Sequence, residues 1–451
     1  MTDEELELLL RRWYRARSER YPEAPPALRM TLANLPAASP NDGVRWLPAA
    51  LRRRPLNTFA SVMLAGALGV VGVIVTLALL GGPSTEVGGQ SPSPSPTAFG
   101  SPSPAPSESP LSAGWTFTGS MNVARHDHEA VLLADGRVLV VGGNAQTPDG
   151  SAGGSLASAE LYDPSDGTWT RVADMSEVRA WHTVTQLNDG RVLVAGGGNQ
   201  SRASAAATAS AEIFDPTTGR WSATPSMSVP RTGHTAALLD DGTVLVVGGG
   251  QDRNRWATAE IYDPVSDSWR PAASMANGRW HHAAVMLNDG ILLVAGGIEP
   301  GSAEKSAELY DPLTNTWRDA ADMPTGRGAA SATLLQDGTV LLTGGMRRLE
   351  RYDPRSDTWS PVQGAGICWD SRALLMPDGR VMDMCSAQTD LYDPDSAMWT
   401  AGPDWNVGRH NPTTTLLADG RVLVAGGIGK VNPIVDASLT SAEILDSRQL
   451  P

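Results

Sequence analysis

The chain has 451 residues, a formal net charge of -14, 47 Gly, 33 Pro and two Cys, with 41% hydrophobic and 19% charged side chains. Two cysteines exclude a disulfide-dense scaffold and any four-cysteine zinc site, and the length exceeds one ordinary compact core. The charge is unevenly placed: residues 1–57 carry ten Arg against seven acids (+3) and the remainder carries -17, which argues against nucleic acid as a partner.

Leu6, Leu9, Leu10, Trp13 and Tyr14 recur at helical spacing with Arg and Glu between them, which predicts an amphipathic helix ended by Pro22, Pro25 and Pro26. Residues 1–57 therefore read as a short helical tail. Its apolar stripe suits a small bundle, a cytoplasmic regulatory partner or the inner leaflet. From Thr58 to Leu80 run 23 uncharged residues, roughly 35 Å of helix at about 1.5 Å per residue, enough to cross a bilayer. Arg52, Arg53 and Arg54 precede this span and no Lys or Arg follows until Arg125. The positive-inside rule then places the tail in the cytoplasm and everything later outside, with a single transmembrane helix over 58–82. Residues 83–112 hold eight Pro and nine Ser, a composition that cannot bury a core and reads as a disordered linker.

From residue 113 to 451 the chain repeats itself. Asp-Gly recurs at Asp135, Asp189, Asp241, Asp289, Asp337, Asp378 and Asp419, each between apolar runs such as AVLLADGRVLVVGG. This predicts seven hairpins with type I′ turns, which need positive φ at both central residues. Gly-Gly pairs close six of them, beginning with Gly142-Gly143; a third strand reads AELYDP or a close variant, and a fourth carries Trp169, Trp221, Trp269, Trp317, Trp359 or Trp399.

The Gly-Gly, the Tyr-Asp-Pro and the Trp six residues beyond that Asp stand in the order of the Kelch repeat family, which the chain resembles from 115 to 446. The resemblance implies an all-β, seven-bladed β-propeller. The seventh unit ends at Asp446 without a fourth strand, while Trp115 and Met121 stand alone with the spacing of Trp169 and Met175. The N-terminal strand is therefore expected to complete the last blade and remove an open sheet edge.

The recurring Trp are expected to fill the space between blades. Arg125, Arg179, Arg231, Arg279, Arg327 and Arg409 share one repeat position and read as structural or channel-facing, and His128, His182, His234 and His282 as structural hydrogen bonders. Residues that break the repeat eight or nine positions ahead of Asp-Gly are the candidate ligand-binding set: His126, Asp127, Trp181, Trp280, His281, Trp369, Asp370, His410 and Asn411. They lie in loops entering innermost strands, at one mouth of the channel, where aromatic rings can stack on a ligand or merely cover neighbouring loops. Cys368 and Cys385 replace the Arg and the first Gly of the sixth unit. In an oxidising exterior they can form a disulfide across that hairpin, the alternative being two free thiols.

No catalytic, metal or cofactor motif is present. The layout points to a membrane-anchored protein that binds or senses an extracytoplasmic protein, peptide or glycan, and resembles anti-sigma factors in architecture. Two other readings are a purely structural adhesion module and a carbohydrate oxidase similar to galactose oxidase. The second needs dedicated Tyr ligands, yet Tyr162, Tyr262, Tyr310, Tyr352 and Tyr392 all fill the Tyr-Asp-Pro slot.

Overall fold

Each Asp-Gly joins two antiparallel strands, as in Glu129–Leu132 and Val138–Val141, where Leu132 lies opposite Val138. The turn type differs from expectation. Gly136 has φ 87°, whereas none of the seven Asp takes positive φ. The Gly136 N–H donates to the Leu133 carbonyl at 2.9 Å and the Leu133 N–H to the Arg137 carbonyl at 2.8 Å. This is a type I turn followed by a left-handed glycine bulge. Asp135 keeps ordinary φ because it acts through its side chain, whose Oδ1 accepts from the Arg137 N–H at 3.0 Å.

The computed structural model describes residues 114–147, 152–199, 206–251, 254–299, 302–345, 349–364, 371–430 and 436–450. The tail, membrane span and linker expected over 1–112 lie outside these, as do Cys368, Trp369 and Asp370. Among the described residues no helix is long and apolar enough to cross a membrane.

Seven four-stranded antiparallel sheets occur among the described residues. Six are built from strands in chain order, four of them with a separate two-stranded ribbon between the second and third strands. The seventh combines Thr413–Leu416, Arg421–Ala425 and Ala442–Asp446 with Thr116–Phe117, Thr116 lying opposite Ile444. The innermost strands touch in cyclic order, so that Glu129–Leu132 meets Thr183–Gln186 on one side and Thr413–Leu416 on the other. Hydrophobic clusters fill the gaps between neighbouring sheets; Val140 and Tyr162 of the first sheet pack against Leu423 and Ala425 of the last. Burial on both faces explains why the second strand of most units reads as an apolar run such as Val138–Val141. The fold is a β-propeller.

Repeat residues hold neighbouring blades together. The Trp169 ring lies 5.0 Å from that of Tyr162, and its Nε1 donates to the Gly119 carbonyl at 2.7 Å. The Gly143 N–H donates to the Arg179 carbonyl at 2.8 Å, and the Gly427 N–H to that of Arg125 at 2.9 Å. A Cβ on Gly142 would lie 2.5 Å from the Arg179 carbonyl oxygen, which is why this position excludes a side chain. The recurring Arg are structural. Arg125 is fully buried, pairs with Glu160 at 2.9 Å and donates to the carbonyls of Gly142 and Ser158 at 2.8 and 2.9 Å. The same pair recurs as Arg179–Glu212, Arg231–Glu260, Arg279–Glu308, Arg327–Glu350 and Arg409–Glu443.

Candidate functional site

Two residues beyond each described repeat Arg, the backbone turns left-handed at Asp127, Trp181, Gly233, His281, Ala329 and Asn411, with φ between 49° and 57°. Such φ is disfavoured for residues other than glycine, so the surroundings must enforce it. Part of that enforcement is a belt of bonds between blades. The Gly233 N–H donates to the Trp181 carbonyl at 3.0 Å, the His281 N–H to Gly233 at 2.9 Å, and the Ala329 N–H to His281 at 2.8 Å. Gly233 is required twice over, by its φ and because a Cβ there would lie 2.2 Å from the Trp280 Nε1.

The structure gathers the candidate residues into two described groups. Trp181 and Trp280 meet edge to face at 6.0 Å, and the His281 ring lies 5.5 Å and 4.1 Å from them. The Arg255 guanidinium sits 4.5 Å from the Trp280 ring centre. Trp280 is thus already packed by protein groups, and both tryptophans are half-buried. Burial, with the charges of Arg372 and Arg255 adding, pushes the His281 imidazole down to about 4, so it is neutral at physiological pH.

In the second group, His126 Nδ1 lies 2.8 Å from Ser438 Oγ, and Asp127 Oδ2 accepts from Asn144 Nδ2 at 3.3 Å. His126 and Asp127 approach to 3.5 Å. Burial lowers the His126 pKa, against the pull of Asp127. His410 is exposed, in the short strand Arg409–His410, where it pairs with Ile428.

Two functional candidates escaped the sequence reading. Six residues ahead of each Asp-Gly Asp stand Glu129, Thr183, Thr235, Ala283, Ser331, Arg372 and Thr413. This column begins the innermost strands around the channel. Three of its threonines bind a histidine of the following blade: Thr413 with His128 at 2.9 Å, Thr183 with His234 at 3.0 Å and Thr235 with His282 at 2.8 Å. For the remaining histidine, His182, Glu129 of the preceding blade takes the threonine's place, and neither ring nitrogen of His182 has a hydrogen-bond partner. Burial raises the Glu129 carboxyl from 4.5 to about 7, opposed by the charge of Arg372 and reinforced by Asp127. Asp127, Glu129, His281 and Arg372 therefore share one electrostatic neighbourhood. The signal was available as a second column of repeat breaks, two positions beyond the first.

The sixth blade departs internally as well. It lacks the Arg–Glu pair, and Asp383 and Asp390 face each other across adjacent strands. The Ser371 hydroxyl donates to Asp383, and burial above all raises the Asp383 carboxyl to about 6. Cys385 is disulfide-bonded, and the only other cysteine of the chain lies outside the described residues.

Among the described residues no group of three or more His, Cys, Asp or Glu is placed to hold a metal ion. The tyrosines that an oxidase would need are committed to packing: Tyr352 is fully buried, lies 4.9 Å from Trp359 and donates to Asp357 at 2.8 Å.

Fold and repeat together define a β-propeller, parts of which match models of Kelch repeats. Residues 130–176 match the Kelch motif, and residues 181–376 match the KLHDC2/KLHL20/DRC7 Kelch-repeats domain. Beta-scruin of Limulus polyphemus is 32% identical over 143 residues, covering 31% of this chain and 15% of that protein. Kelch-like protein 33 of Homo sapiens is 31% identical over 125 residues, covering 28% of this chain and 22% of that one. The matches thus span less than a quarter of either relative's length. A solved fungal alcohol oxidase of the AA5 family, in complex with copper, is similar with a TM-score of 0.44 and 17% identity, over 74% of this chain and 76% of that chain.

Proposed function

We propose that the protein is a membrane-anchored, extracytoplasmic binding or sensing protein. In this reading its Kelch-type propeller has seven blades, the last completed by the N-terminal strand, and the channel mouth engages a protein, peptide or glycan. The helix over 58–80 tethers the propeller outside the membrane, and residues 1–57 meet a regulatory partner inside, as in an anti-sigma factor. Kelch repeats generally mediate protein binding, which supports the binding role. The pairing of Thr116 with Ile444 supports the closure, and the Arg distribution around the apolar span supports the orientation.

The observation that carries the binding reading is the left-handed belt at the mouth. A repeat scaffold needs only a small residue there, yet Asp127, Trp181, His281 and Asn411 occupy it at a conformational cost. Functional sites are where such departures concentrate. Peptide and glycan arrays probed with the full-length protein test this. Binding that is lost in Trp181→Ala and His410→Ala variants of unchanged Tm is the expected result; empty arrays, or binding indifferent to both changes, contradict it.

A further inference from the structure

Deeper than the mouth loops, the channel column carries only two charged residues, and they are opposite in sign. Thr183, Thr235 and Thr413 spend their hydroxyls on the neighbouring histidines, and Ala283 offers no polar atom. Glu129 and Arg372 stand at equivalent positions on either side of the blade that carries Thr413. The Arg372 charge favours the ionised form of Glu129, and no ion pair joins the two among the described residues. Arg372 is exposed and Glu129 is half-buried.

Glu129 is also unfavourable for the fold. The three threonine–histidine contacts define what the scaffold asks for at this position. Glu129 withholds that partner from His182, which is fully enclosed and left with two unsatisfied nitrogens. A buried polar group without a partner costs stability, so a residue that causes one is retained for another task.

Building on the mouth-binding reading, we propose that Glu129 and Arg372 form a subsite for a small organic acid whose carboxylate is flanked by hydrogen-bond donors. The Arg372 guanidinium takes the carboxylate through two parallel N–H donors, the geometry in which arginine binds carboxylates best. Glu129 and Asp127 accept from the flanking hydroxyl or ammonium donors. A molecule lacking either half leaves the Arg372 guanidinium or the Glu129 and Asp127 acceptors without a partner and is rejected.

Calorimetric titration of the full-length protein with four probes tests the subsite. Glucuronate offers a carboxylate with hydroxyl donors, alanine a carboxylate with an ammonium donor, acetate the carboxylate alone and glucose the hydroxyls alone. Glucuronate or alanine should bind at least about tenfold more tightly than acetate and glucose, and which of the two binds identifies the donor. Arg372→Gln and Glu129→Thr should each weaken that binding by about tenfold or more. Glu129→Thr restores the threonine–histidine contact, so its loss of binding is not a loss of fold; Ser331→Ala in the same column should leave affinity unchanged. No binding of glucuronate or alanine, or affinities unaltered in both channel variants, overturns the subsite. Array binding that depends on Trp181 but not on Arg372 or Glu129 overturns the subsite while the mouth reading stands; empty arrays remove the mouth reading itself.

Discussion

His128 Nε2 and Thr413 Oγ1 lie 2.9 Å apart across the junction between the first and last sheets, and the same contact joins Thr235 to His282 at 2.8 Å. These histidines are enclosed, and burial, aided by Arg279, pushes His282 down to about 3. The ring is therefore neutral and depends on the threonine for a partner. Thr235→Ala should destabilise the protein by about 1–2 kcal/mol, read as a shift of the urea midpoint at constant m-value. An unchanged midpoint would show that the contact contributes nothing.

Glu129→Thr should move stability in the opposite direction by about 1 kcal/mol, by giving His182 the partner it lacks. The effect depends on pH. Burial first, with Asp127 adding, raises the Glu129 carboxyl from 4.5 to about 7 in the folded protein. Between these values the unfolded chain releases its proton while the folded one retains it, so wild-type stability falls as pH rises through about 7. The gain from Glu129→Thr should therefore grow from pH 4.5 to 7 and level off above. A pH-independent gain would mean that the carboxyl is not held in its neutral form.

Arg279 pairs with Glu308 at 2.9 Å and also donates to the Gly296 and Ser306 carbonyls at 2.9 and 2.8 Å. Arg279→Met strands a buried carboxylate and should cost about 3–5 kcal/mol. The Arg279→Met/Glu308→Met double variant should cost less than the two single changes together. A double-mutant cycle giving simple additivity would contradict the coupling.

Asp383 faces Asp390, and burial chiefly raises its carboxyl from 3.8 to about 6. The folded state holds this proton where the unfolded state has lost it, so stability is full below 3.8 and declines as pH rises through about 6. Asp383→Asn should raise stability at pH 8 by on the order of 2 kcal/mol and leave it nearly unchanged at pH 3.5. Thermal melts across that range check this; equal Tm gains at both pH values would contradict it.

The repeat was legible because each of its signals constrains the backbone nearby. Asp-Gly forced a hairpin, Gly-Gly closed it, and Tyr-Asp-Pro marked the third strand, so strands could be placed without knowing what they touch. The turn type was misread because Asp135 works through its carboxylate rather than through positive φ. The Glu partners of the buried arginines lie 23 to 35 residues away in sequence, as with Arg327–Glu350 and Arg125–Glu160, and only packing reveals them. Trp280 looked like a free stacking surface until Arg255, from a ribbon of the preceding blade, was placed over it. Glu129 and Arg372 were visible as departures from a threonine column, but their shared neighbourhood exists only once the innermost strands form a ring.

The proposed closure of the ring, on which the positions at the mouth depend, rests on the N-terminal segment. Met121 donates its N–H to the Thr440 carbonyl at 2.8 Å, and Trp115 is buried against Trp405 at 6.1 Å. Thermal unfolding with light scattering, comparing the full-length protein with a form lacking residues 114–121, tests the closure directly. The account predicts a Tm lower by about 10 °C or more, because a whole sheet loses its edge strand and the Trp115–Trp405 contact, together with self-association through the exposed edge. A monomer that melts at the full-length temperature would contradict it.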